Sequence, residues 1–260
     1  MAKIVITDRL TLSSLFVEAL FGDEPIGIAT SIVWSTHSQL FLVTNWHVAS
    51  GLHPETGQPI SRSGSTPDRL VVQIRHSDNM ASLSGLEIPL HDRQGRPVWL
   101  EHANHGSKVD VAAIPIKLDD TARVFPINEF EYADFRFEVS QEVFIIGFPR
   151  GITSAGGLPI WKKASIASEP YSDLHGLPKL LVDSATREGM SGSPAIAQYV
   201  GVHAENPPKL GPDDWFGQGR RFLGIYSGRT PTSDELDAQL GYVWKANAIE
   251  EIVSDGLRPD

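Results

Sequence analysis

Thr186-Arg-Glu-Gly-Met-Ser-Gly-Ser-Pro-Ala195 is the stretch from which the rest of this 260-residue chain can be read. Gly189 and Gly192 bracket Ser191, so no side chain blocks the approach of a second backbone or a substrate. Glycine also permits a tight turn in which successive N–H groups point at one spot. A serine held in such a turn is exposed, and its own N–H together with that of Gly189 can receive a developing oxyanion. A Gly/Ser turn between two strands uses the same residues for purely structural reasons. The surroundings decide between the two.

Those surroundings are short apolar runs separated by turn formers, the pattern of an all-β protein. Strands are expected at Ser14–Leu20, Ile26–Trp34, Leu40–Asn45, Leu70–Arg75, Pro97–Glu101 and Val109–Ile116. A second group follows at Glu142–Phe148, Ile160–Ser168, Lys179–Asp183, Ser193–Ala197, Phe222–Ser227 and Gly241–Lys245. Twelve short strands are too many for one flat sheet, and closed barrels or a sandwich remove the edge problem. Between the groups, Lys117–Gln141 carries Phe125, Phe130, Tyr132, Phe135 and Phe137, too apolar for a solvated tether, so it is expected to pack over the surface. The chain thus divides into residues 1–120 and 121–260. Near its end, Asn247-Ala-Ile-Glu-Glu-Ile-Val253 predicts a short helix with Asn247 as cap, Glu250 completing a capping-box pattern and Gly256 as stop.

Two other stretches carry chemistry. In Leu40-Phe-Leu-Val-Thr-Asn-Trp-His-Val-Ala-Ser-Gly51 an apolar strand delivers His47 into a short turn, where a rigid element would fix a general base. Taken alone, such a histidine is more often a hydrogen-bonded structural residue. In Gly106-Ser-Lys-Val-Asp-Val-Ala-Ala-Ile-Pro-Ile116, Asp110 opens an otherwise apolar strand, where a carboxylate must find a partner or shift its pKa. A histidine Nδ1–H would satisfy it and fix the ring tautomer, although a turn aspartate bonding nearby amides is the plainer alternative. Together the three run in the order His47, Asp110, Ser191, with the first two in one strand group and the serine in the other.

Composition narrows the function classes. With no cysteine there is no disulfide scaffold, thiolate metal site or cysteine nucleophile. A net charge of −10 without a basic run argues against a nucleic-acid partner. No window of about 18 apolar residues is present to span a membrane, and the first residues lack the apolar core of a secretory signal, so a cytoplasmic protein is expected. His102 and His105 form an H-x-x-H pair beside Glu101, but they sit in a polar loop without converging ligands; neither metal nor cofactor is expected.

Thr44-Asn45-Trp46-His47-Val48, Val109-Asp110-Val111-Ala112 and Gly189-Met-Ser-Gly-Ser-Pro194 resemble the histidine, aspartate and nucleophile motifs of the trypsin-like (chymotrypsin-fold) serine peptidases. The bacterial branch akin to the HtrA/Deg protease domains is the nearer likeness. Phe144-Ile-Ile-Gly-Phe-Pro149 and Leu223-Gly-Ile-Tyr-Ser-Gly228 resemble two further family strands, and the likeness runs over roughly residues 26–255. It implies two six-stranded antiparallel β-barrels with a cleft between them, together one peptidase unit. It implies a catalytic His47, Asp110 and Ser191, an oxyanion hole from the amides of Gly189 and Ser191, and Ser227 supporting Asp110. It also implies an edge at Gly228 and Arg229 on which a peptide adds as a strand, and a specificity pocket based at Ala185. An alanine there supplies no charge to select Lys or Arg, so weak or small, apolar selectivity is expected.

Two departures stand out. Met190 replaces the aspartate that pairs with a freshly cut N-terminus in zymogen-type members, so that activation route is not expected. Ser193 replaces the usual second glycine. The substrate implied is a protein or peptide, with any regulatory protein acting in trans. The alternatives are a conditional protease, or a catalytically silent peptide-binding module on the same fold.

Overall fold

Strands that read as continuous apolar runs, with little alternation, are buried on both faces, and three stacked cores account for them. The computed structural model describes residues 8–203, 215–229 and 239–259. The first half contributes β1 (Ser14–Phe21), β2 (Glu24–Ser35), β3 (Leu40–Thr44), the one-turn helix α1 (Trp46–Ser50), β4 (Arg69–His76), β5 (Leu83–Pro89), β6 (Ala112–Ile116) and the two-residue β7 (Ala122–Arg123). The second half contributes β8 (Glu142–Gly147), β9 (Ile160–Ile166), β10 (Lys179–Asp183), β11 (Pro194–His203), β12 (Trp215–Arg229), β13 (Leu240–Lys245) and the C-terminal helix α2 (Ala246–Asp255).

All ladders are antiparallel. The second six strands close into a barrel in the order β10-β13-β12-β11-β8-β9. The first half is a seven-stranded sheet ordered β5-β4-β1-β2-β3-β6, with β7 pairing β4. Its seam is spanned by single bridges, and this corrects one expectation: Pro97–Glu101 is not a ladder strand. Val98 N–H donates to Leu90 O (3.0 Å), and Leu100 exchanges hydrogen bonds with Ala113 of β6. Its apolar residues line the seam without forming a ladder. The missed β5 is an edge strand in which Ile88 alone is buried, so it carries almost no periodic signal. The hairpin β11–β12 runs on to His203 and Trp215, well past the expected ends at Ala197 and Phe222, through a glycine- and glutamine-bearing arm with little apolar pattern.

One core fills the first sheet, with Leu15, Val17, Leu42, Val72 and Ile114. Another fills the barrel, with Val143, Ile145, Leu180, Tyr226 and Val243. Between them lies a third, to which both halves and α2 contribute: Ile32 and Val43 meet Ile146, Ile196, Ile225 and Trp244, closed over by Ile249 and Ile252. β2 and β3 therefore serve two cores from opposite faces, as the period of two in a strand requires. Burying these seven aliphatic side chains supplies on the order of 10–20 kcal/mol to the docking of the halves. α2 begins two residues earlier than expected, at Ala246, with Lys245 as the extended N-cap and no side-chain cap bond. Asn247 lies inside the first turn, bonded to Glu251 (3.3 Å), and does not cap it. Gly256 does stop the helix, but with an ordinary φ of −59°; its N–H takes Ile252 O, and a Cβ there would lie 2.3 Å from that oxygen. Among the described residues no helix is long and apolar enough to cross a membrane.

Candidate active site

The junction of the two halves places the chemistry. β3 ends at Thr44, and Asn45, extended and fully buried, turns the chain into α1. The turn is closed by Gly51 (φ +72°), where a Cβ would lie 2.4 Å from Pro67 Cδ. His47 rides on this single turn. Asp110, 3% exposed, lies just before β6 and is tied back to the same turn: Asn45 Nδ2 donates to the Asp110 carbonyl at 2.7 Å. Both carboxylate oxygens are occupied. Oδ1 accepts the His47 backbone N–H at 2.9 Å, and Oδ2 lies 2.8 Å from His47 Nδ1. Ser227 Oγ, from β12, donates to that same Oδ2. A carboxylate this deep is tolerated because three donors replace its water. With Nδ1–H facing Asp110, the proton-free ring nitrogen is Nε2.

Ser191 sits in the turn that leads into β11. Three depressions meet at it, of about 810, 410 and 540 Å³, and the first and third are also lined by His47. Among the described residues Ser191 Oγ has no hydrogen-bond partner, so the hydroxyl and the histidine share a cleft without a bond between them. The neighbouring backbone is held tightly. Thr30 of β2 donates its N–H to Ser191 O and its hydroxyl to Gly189 O, both at 2.8 Å. Gly192 N–H takes Tyr226 O at 2.8 Å, and Met190 N–H takes Arg187 O at 3.3 Å. The amides of Gly189 and Ser191 donate to no acceptor among the described residues.

A turn built by Pro149, Arg150 and Gly151 explains part of that arrangement. Arg150 has φ +53°, and its N–H donates to Glu188 O at 2.7 Å. In a planar trans peptide the carbonyl and the following N–H point in opposite directions, so fixing Glu188 O aims Gly189 N–H the other way. Gly189 itself has φ +90°, and a Cβ there would lie 2.3 Å from Phe148 O. At Gly192 a Cβ would lie 2.0 Å from Thr30 O. Both glycines are therefore required by close approach and by conformation together.

The remaining expected residues fall as follows. Ala185 is exposed and does not line the depression beside Ser191, whose walls are Thr186, Arg187, Glu188, Arg150 and Gly228. The neighbouring Thr186 points inward instead, hydrogen-bonded to Tyr226. Gly228, at a bulge in β12 (φ +54°), lines the cleft. Arg229 ends β12 opposite Gly241, and its side chain lies outside the described residues. Met190 is fully buried in the barrel core. Ser193 is fully buried with an unpartnered Oγ; it fits because Gly147 faces it, where a Cβ would come within 1.9 Å of that hydroxyl. His102 is engaged at both ring nitrogens, by Glu251 at 2.8 Å and by Asn104 N–H at 3.2 Å, and its ring lies tilted at 43° to that of His105.

Thr30 and Arg150 are the residues that sequence reasoning missed. Thr30 had a weak signal, a polar pair with Ser31 inside an apolar run, and Arg150 had its place between proline and glycine.

Two antiparallel β units whose shared cleft gathers an imidazole, a carboxylate and a serine hydroxyl define a hydrolase of the serine-endopeptidase class. A family model described as a trypsin-like peptidase domain matches residues 29–202. The chain belongs to the trypsin-like peptidase family. The solved structure of a serine endoprotease from Yersinia pestis is similar to it in fold, at 13% identity over 97% of this chain and 69% of that chain, with a TM-score of 0.52. The active form of the Rv3671c protease from M. tuberculosis aligns at 16% identity over 96% and 84%, with a TM-score of 0.49. A comparison with curated proteins finds no match.

Proposed function

We propose that this peptidase cuts peptide bonds through Ser191, His47 and Asp110. Ser191 Oγ attacks the substrate carbonyl carbon while its proton passes to His47 Nε2. The carbonyl oxygen becomes an oxyanion and accepts the N–H groups of Gly189 and Ser191, each such donor being worth about 3–4 kcal/mol to the transition state. The tetrahedral species collapses, the C–N bond breaks, and Nε2–H protonates the leaving amine. Water, deprotonated by the same nitrogen, then releases the acyl group and restores the serine. Asp110 holds the ring tautomer and stabilises the imidazolium, and Ser227 holds Asp110.

The observation that carries this reading is the double engagement of Asp110 by His47, backbone and ring, beside a serine whose own amide, with that of Gly189, is unclaimed among the described residues. Competence without N-terminal cleavage belongs to the same proposal. Its support is Met190, which packs in the core and brings no carboxylate for a new terminus to pair with. The substrate class is a protein or peptide laid along Gly228. Arg150 and Arg187 outnumber the carboxylate of Glu188 at the adjoining depression and so disfavour cutting after Lys or Arg. Cytoplasmic residence fits a chain with no cysteine to oxidise or pair.

Labelling with a fluorophosphonate probe tests the proposal. Wild type should label at Ser191 and hydrolyse a casein substrate, and Ser191→Ala should do neither while melting at the same temperature. Equal labelling of both proteins refutes the assignment. A wild type that neither labels nor cuts leaves the catalytically silent module. Labelling that appears only with a second protein present leaves the conditional protease.

A further inference from the structure

The cleft on the Gly228 side carries a cation that forms no ion pair among the described residues. The third depression, about 540 Å³, runs from His47, Ser191 and Gly228 to Lys179 and Tyr242. Strand register fixes this face. Tyr242 of β13 lies opposite both Ser227 and Leu181, and Trp244 lies opposite both Ile225 and Lys179. Lys179 thus stands one row along from the row that anchors Asp110. Its ammonium sits 4.2 Å from the Tyr242 ring centroid and 5.1 Å from that of Trp244, close enough for cation–π attraction to both. Half-buried, it has no ion pair and no side-chain hydrogen bond among the described residues. The contrast with Lys245 on the adjacent strand is direct, since that ammonium is spent on Asp173 at 2.7 Å and Ser172 O at 3.0 Å.

Other groups around this depression are the exposed Lys108, His53, the exposed Glu55, and Asp110, already committed to His47 and Ser227. Burial holds the Lys179 ammonium below the usual lysine range, with Glu55 and Asp110 acting from farther off to raise it again. A cation that has lost water and gained only ring faces keeps N–H donors unspent.

We infer that Lys179, on its Tyr242–Trp244 floor, is a specificity-determining residue that takes a carboxylate side chain of the substrate on the N-terminal side of the scissile bond. The inference rests on the proposed peptidase reading, in which the peptide lies along Gly228. An extended chain sends alternate side chains to one face, so a single register position delivers the carboxylate to the depression. The aromatic floor holds the ammonium in place before the substrate arrives, which limits the ordering cost of binding.

The test is cleavage profiling of a peptide library, with each rate divided by the fraction of protein that a fluorophosphonate labels at Ser191. Wild type should favour Asp or Glu over Asn or Gln at one position before the cut, by about tenfold, the ratio that 1.4 kcal/mol from a charged hydrogen bond gives. Lys179→Met should flatten that ratio, Lys179→Arg should retain it, and Lys179→Glu should turn it toward Lys and Arg. Absence of an acidic preference in a wild type that labels and cuts overturns the inference and leaves the peptidase reading intact. A preference that survives in Lys179→Met overturns it as well, and reduces Lys179 to a packing residue. A wild type that does not label fails the peptidase reading first.

Discussion

Gly189→Ala is the substitution that most directly probes the turn around Ser191, the proposed nucleophile. At φ +90° any L residue is strained, by about 1–2 kcal/mol. The added methyl would also lie 2.3 Å from Phe148 O and 3.3 Å from Arg150 N, both backbone atoms that side-chain rotation cannot move. The way out is rotation of the Glu188–Gly189 peptide, which breaks the bond from Arg150 N–H to Glu188 O and swings the alanine N–H out of the cleft. Loss of one oxyanion donor then lowers kcat by about 100- to 1000-fold, with KM for a short peptide substrate little changed. The strain should lower the melting temperature by about 2–8 °C for a chain of this size. Gly64→Ala is the control: it has φ +76° but nothing within 4 Å of the new Cβ, so it carries the strain without the collision. Steady-state kinetics on a chromogenic peptide, with calorimetry on each variant, reads both effects. If Gly189→Ala keeps kcat within threefold of wild type while Gly64→Ala melts lower by a similar amount, the geometric argument for the hole is wrong.

Asp110→Asn should leave the fold in place yet reduce kcat by about 10⁴, because an amide cannot accept from the His47 backbone N–H, the ring Nδ1–H and Ser227 Oγ–H at once; a loss below tenfold would refute the role assigned to the carboxylate. Ser193→Ala should be neutral or stabilising by up to about 1 kcal/mol, since the hydroxyl it removes is buried without a partner; a clear drop in melting temperature would reveal a bond to that oxygen.

The sequence could be read where chemistry is local and failed where it is made by distant partners. His47 and Asp110 were legible because each is the odd polar residue of an apolar strand end, and the turn at Ser191 because glycines bracket it. Thr30 was not, since its meaning comes from Gly189 and Ser191, some 160 positions away, and a threonine in a strand gives no warning of that. Strand positions in the barrel followed apolar runs that serve two cores, whereas β5 has Ile88 alone inside and Pro97–Glu101 spends its apolar residues on a seam. Asn247 has the side chain of a cap, but Lys245 takes that place because β13 hands the chain to α2 two residues sooner. Ala185, which the family resemblance puts at the base of a specificity pocket, is exposed, and its neighbour Thr186 turns inward to Tyr226.

Thr30 has a consequence for how this enzyme would fail. One residue of the front sheet holds two carbonyls of the turn at Ser191, so the turn loses part of its bracing when the two halves come apart. Warming, urea or a wedge-like inhibitor that parts the seam would silence cutting while each sheet still gives its full circular-dichroism signal. On that account, activity would report the docking of the halves before either has melted.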